Sequence, residues 1–128
     1  MRPSIAGSGS GSRGSAVPER YRVRWTRTAE EDLTAILEYV AREESVGRAV
    51  SLYTTLRAAI DGLVAFPRRA RVIPELRAFG LRDFREILVG PYRVGFRLDG
   101  RLIVLLAVLD GRRDLEELLL ERALRELS

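Results

Sequence analysis

The spacing of hydrophobic positions changes along the chain, and each change marks an element. Tyr21, Val23 and Trp25 alternate with Arg22 and Arg24, the period of two that marks a half-buried strand. Leu33, Ile36, Leu37 and Val40 then recur at three-and-four spacing, which puts them on one face of a helix. The separation of Thr28 and Glu31 predicts a capping box at its start, and Glu30, Glu31 and Asp32 lie where the positive end of a helix favours acids. After a break at Ser45 to Gly47, the positions Ala49, Leu52, Leu56, Ile60 and Leu63 repeat the helical pattern until Pro67 stops it. Two amphipathic helices on so short a link predict an antiparallel hairpin.

Residues 67–83 read as a basic connector, broken by Pro74 and Gly80. Phe84 to Val89 is a second strand and Gly90-Pro91 a turn. Tyr92, Val94, Phe96 and Leu98 alternate with Arg93, Gly95 and Arg97 in a third strand. Asp99-Gly100 is a two-residue hairpin signal. The unbroken apolar run Leu102 to Leu109 is what a strand covered on both faces requires, so it is expected inside the sheet. From Asp114 the string DLEELLLERALREL has helical period and composition, with acids in its first turn. Turns this short exclude parallel crossovers among the last three strands. The pattern therefore predicts an α+β fold: an N-terminal strand, an antiparallel helical hairpin packed on a mainly antiparallel sheet, a three-strand meander completing that sheet, and a C-terminal helix.

A length of 128 residues fits one modest core. The opening run MRPSIAGSGSGSRGSA has almost nothing to bury, so residues 1–19 are expected to be a disordered leader or linker and residues 20–128 the folded domain. The absence of cysteine rules out a disulfide framework and a thiolate metal site. No apolar stretch reaches the roughly 20 residues of a membrane helix. A cytoplasmic protein without membrane contact, cofactor or metal is expected.

Charge narrows the chemistry further. All 22 basic residues are arginine, with neither lysine nor histidine. A GC-rich genome would also favour arginine codons, but the chemical limit holds whatever the cause. Arginine stays protonated below a pKa of about 12, so it binds and orients phosphates but does not serve as a general base. From Phe66 to Arg113, 11 arginines face five acids, a balance of +6; from Arg27 to Ala65, four face seven, a balance of −3. The basic half is the connector and sheet, a surface suited to a phosphate backbone or to an acidic protein segment. Alternation assigns the aromatics there, Phe79, Phe84, Tyr92 and Phe96, mostly to the core rather than to base stacking.

The string GLRDFREILVGPYRVGFRLDGRLIVLLAVLDGRRD resembles the C-terminal signature of the RelE/ParE toxins: an arginine-bearing strand, a YR-containing hairpin, an apolar strand, then a glycine and an arginine pair. The leading YRVRWTRTAEEDLTAILEYV is similar to that family's opening strand and helix, and the resemblance spans about residues 20 to 124. It implies the toxin of a type II toxin-antitoxin pair, neutralised by a cognate antitoxin whose C-terminal segment lies across the sheet and helices. It also implies one of two actions, poisoning of DNA gyrase in ParE-like members or cleavage of ribosome-bound mRNA in RelE-like members. Arg93 and Arg113 match arginines that serve the ribonucleases. Lysines expected around the connector are absent, although Arg77, Arg82 and Arg85 replace their charge, and Leu119 stands where those enzymes carry a helical tyrosine. Proton transfer needs a group that exchanges a proton near working pH. Here that would fall to a perturbed Glu86, Asp110 or Asp114, or to Tyr92 in place of the missing tyrosine.

The ParE-like branch is therefore the expected one, with no catalytic residue favoured, and Arg93 and Arg113 the catalytic candidates only if the chain is a ribonuclease. Arg77, Arg82, Arg85, Arg93, Arg97 and Arg113 are the candidate contacts to target or antitoxin. For Arg93 and Arg97, sharing one face of the third strand, the plain alternative is a solvated strand face. Arg112 reads as a surface charge, and Asp110 and Asp114 as turn or helix caps. Leu118, Leu119, Leu120 and Leu124 give the last helix a wide apolar surface, mostly core, with one edge open to a partner. The oligomeric state stays open.

Overall fold

A computed structural model describes residues 20–128; the expected leader lies outside the described residues. Strand β1 (Arg22–Trp25) leads into helix α1 (Arg27–Glu43), then helix α2 (Val46–Leu63). The N-cap of α1 is Thr26, not Thr28. Its extended backbone lets Oγ1 accept the Ala29 N–H at 3.2 Å, and the same hydroxyl donates to the Leu105 carbonyl at 2.8 Å. Thr28 already belongs to the first turn, so the expected capping box does not form. Ser45 caps α2 by accepting the Arg48 N–H at 3.0 Å, closing the hairpin in a two-residue link.

The connector is more ordered than its prolines and glycine suggest. A 3-10 turn at Pro67–Arg69 is followed by strand β2 (Arg71–Val72) and the one-turn helix α3 (Pro74–Arg77). Strands β3 (Phe84–Val89), β4 (Tyr92–Asp99) and β5 (Leu102–Asp110) form the meander, and helix α4 (Glu116–Leu127) ends the chain. The sheet order is β1-β5-β4-β3-β2, antiparallel except for the β1–β5 pair. The run Leu102 to Leu109 does lie inside the sheet. Β-strand β5 is covered on both sides.

Two cores flank the sheet. On the hairpin face, Ala29, Leu56 and Ile60 pack on Val94, Phe96, Ile103, Leu105 and Val108. On the opposite face, Leu115, Leu119 and Ala123 of the C-terminal segment and Ile73 and Leu76 around α3 pack on Phe84, Val104, Leu106 and Leu109. A bulge keeps both faces apolar: Gly95 pairs with Ala107 and Phe96 with Leu105, leaving Leu106 as the extra residue. Leu119 is fully in this core, Leu118 and Leu120 are half-buried, and Leu124 is exposed.

Candidate functional site

Alternation along β4 divides its side chains between the two faces. Val94 and Phe96 enter the hairpin core, while Arg93 and Arg97 turn to the side of α3 and α4. Arg93 does not face solvent. Its Nε donates to Glu86 Oε1 at 2.8 Å, and its Nη1 and Nη2 form a fork on Glu75 Oε2 and Oε1 at 2.7 and 2.6 Å. Glu86 is 1% exposed and also accepts from Arg71 Nε at 2.7 Å. A carboxylate this buried is tolerable only when ion-paired and hydrogen-bonded, and the two arginines supply both. The Arg93 fork is the main cause holding Glu75 below the usual glutamate range, and it raises Arg93 above the ordinary arginine value in return. The network joins β2, β3, β4 and α3. It also explains Gly111, where a Cβ would come within 2.9 Å of Arg93 Cγ and 3.1 Å of the Pro91 carbonyl oxygen.

The other candidates fall into separate places. Arg97 is half-buried beneath α4, with Nη1 donating to the Glu126 carbonyl at 3.4 Å. Arg85 staples the connector to β3 by donating from Nη1 to the Ala70 and Arg68 carbonyls at 2.7 and 3.3 Å. Arg77 and Arg82 are exposed and, with Arg71, line an open cleft of about 560 Å³ floored by Val72, Pro74 and Ala78. Arg113 is exposed in the turn after β5, at the end where β3 turns into β4. Beside it, Arg112 forks onto Asp110 at 3.0 and 2.7 Å and pushes that carboxyl down to about 2. Asp110 also accepts the Arg112 N–H, and Asp114 accepts the Glu116 N–H at 3.4 Å, so both act as local caps.

Tyr92 lies on the hairpin side, in a cleft of about 360 Å³ between the α1–α2 hairpin and the Gly90-Pro91 turn, where burial and then Asp110 raise its pKa. It is therefore separated by the sheet from Arg93. Of the aromatics assigned to the core, Phe84 and Phe96 are fully buried, but Phe79 is 53% exposed. Sequence reasoning missed the roles of Arg71 and Glu75, and read Glu86 only as a possible acid. One signal was present: Glu86 shares a strand face with Phe84, where a charge must find a partner. Among the described residues, no group of acids stands close enough to hold a metal.

A sheet clamped between a helical hairpin and a C-terminal helix, with arginines at its connector and turns, defines a small α+β class of protein with a basic surface. A model of the family described as "ParE toxin of type II toxin-antitoxin system, parDE" matches residues 23–115, and the chain belongs to that family. Toxin ParE3 of Caulobacter vibrioides is 36% identical over 94 residues, which cover 73% of this chain and 90% of the relative. A solved structure titled "Chromosomal ParDE TA system from P. aeruginosa" superposes with a TM-score of 0.58 at 20% identity, covering 69% of this chain and 92% of its own, and supports the same fold. The family match ends at Leu115, so α4 lies beyond it.

Proposed function

We propose that this ParE-family toxin acts in the cytoplasm by binding rather than by catalysis, as an inhibitor of DNA gyrase neutralised by a cognate antitoxin. The observation that carries the reading is the division of β4. The hydroxyl of Tyr92 and the guanidinium of Arg93 lie on opposite faces of the sheet, and three N–H donors of Arg93 are already bound to Glu75 and Glu86. A ribonuclease would need a proton-transfer group and a phosphate-binding cation on one side of the scissile bond. Gyrase as target and an antitoxin as partner come from the family; the exposed Arg77, Arg82 and Arg113 supply contact charges, while Arg85, Arg93 and Arg97 hold the surfaces that carry them.

The test is a gyrase supercoiling assay on the purified chain beside a ribosome-programmed mRNA cleavage assay at matched concentration. Inhibited supercoiling without cleavage is expected. Cleavage without inhibition would overturn the proposal and put Arg93 and Arg113 back as catalytic candidates. Co-expression of the neighbouring antitoxin is expected to restore growth and give a stable complex.

A further inference from the structure

The connector keeps its surplus of positive charge in the folded chain. Between Phe66 and Arg85 lie Arg68, Arg69, Arg71, Arg77, Arg82 and Arg85, against Glu75 and Asp83. Glu75 is taken up by Arg93 and Arg71 by Glu86, both outside the connector, so these pairings leave its balance unchanged. Arg85 is bound only to neutral carbonyls, which hold its position and leave its charge. Arg77 and Arg82 make no ion pair among the described residues, and both line the cleft with Arg71.

Two aromatic rings stand out on the same segment. Phe79 is 53% exposed on the turn closing α3, where its N–H donates to the Leu76 carbonyl at 3.0 Å and Gly80 adopts a φ of 77°. Phe66 is 57% exposed, with the Arg69 guanidinium 4.0 Å from its ring centre. A phenylalanine fixed on a hydrogen-bonded turn forgoes the burial that usually stabilises it. Arginines without an ion pair and exposed rings on one short segment match what an unpaired strand offers, phosphates and base faces together.

We propose that the connector is a binding site for single-stranded nucleic acid, with Arg77 and Arg82 holding backbone phosphates in the cleft and Phe79 stacking on a base. Phe66 with Arg69 forms a second stacking platform. A duplex fits less well, because α3 is a single turn and, among the described residues, no longer helix lines the cleft to enter a groove. An acidic peptide would satisfy the arginines without engaging the rings. The site refines the role of Arg77 and Arg82 given above and does not depend on which enzyme the toxin stops.

Fluorescence anisotropy of the full chain with labelled oligothymidylate, oligouridylate and a duplex of equal length tests it. Single strands are expected to bind more tightly than duplex, with affinity falling as salt rises by about 0.7 in log–log slope per phosphate held. Arg77→Ala and Arg82→Ala should each lower both affinity and slope. Phe79→Ala should weaken binding by about fivefold or more at unchanged slope. Arg57→Ala, an exposed charge on α2, should change neither. The ratio of the two single-strand affinities shows whether DNA or RNA is the source. No single-strand binding at low salt, an equal effect of Arg57→Ala, or an indifferent Phe79→Ala would overturn the proposal, as would tighter binding of polyglutamate than of either strand. Circular dichroism confirms folding of each variant, and supercoiling assays on the same proteins keep this outcome separate from that of the gyrase reading.

Discussion

At the scale of single residues, the site turns on what a buried carboxylate demands. Glu86 has two arginines because one unpaired charge in that core would cost several kcal/mol, and Arg93 spans from Glu86 to Glu75 because its planar fork meets a carboxylate at two points. The pH dependence follows in sign. The folded-state value of Glu75 lies below its ordinary 4.5, so the pairing stabilises the fold above that pH and is lost as pH falls through the depressed value. The stability difference between wild type and Glu75→Gln, followed by urea melts, should be level well above 4.5 and shrink in acid; a gap that widened in acid would contradict the pairing. Gly111→Ala is expected to cost about 1–3 kcal/mol, since the new methyl presses on a side chain that the two glutamates hold at its far end, and on the Pro91 carbonyl. A urea midpoint equal to wild type would show that Arg93 is free to move. Arg93 was visible in the sequence as a candidate, but its partners were not. Glu75 lies 18 positions away in a helix too short to show a period.

At the scale of elements, those with a periodic pattern were readable, the four-residue β1 among them, and β2 and α3 were not. Both hairpin helices, the three meander strands and α4 carry enough periodic positions to declare themselves. Strand β2 has two residues and α3 four, so their form comes from pairing with β3 and packing of Leu76 rather than from pattern. The cap of α1 moved to Thr26 because that hydroxyl also reaches Leu105, a contact between distant parts of the chain. The same logic anchors α4. Arg122 donates to both oxygens of Asp32 in α1 at 2.9 and 3.0 Å and to the Leu106 carbonyl at 2.8 Å, while Asp32 accepts the Val108 N–H. This pair fills the edge of β5 that β1 is too short to cover. Arg122→Ala should destabilise the fold by about 2–3 kcal/mol, the scale of hydrogen bonds to charged groups. Arg122→Met, which keeps the apolar stem, should recover only the packing part. If Met restored full stability by calorimetry, the ion pair would contribute nothing.

At the scale of the whole molecule, the sheet acts as a partition. The sequence reports that basic charge is concentrated between Phe66 and Arg113, but strand parity and internal pairing decide which arginines reach solvent. The same partition sets a test of binding against catalysis. Tyr92 is the described tyrosine nearest in sequence to Arg93, yet its ring belongs to the cleft under the hairpin. Tyr92→Phe keeps the ring and removes the hydroxyl. A toxin that works by contact should retain its inhibition of supercoiling, changed by no more than about the 0.5–1.5 kcal/mol worth of one hydrogen bond. An enzyme relying on that hydroxyl for proton transfer should lose about 10²–10⁴-fold in rate. Titrating wild type and Tyr92→Phe in the supercoiling assay and in the mRNA cleavage assay separates the two, and contact is the expected outcome because no rearrangement short of breaking β4 from its neighbours would bring that hydroxyl to the face that Arg93 occupies.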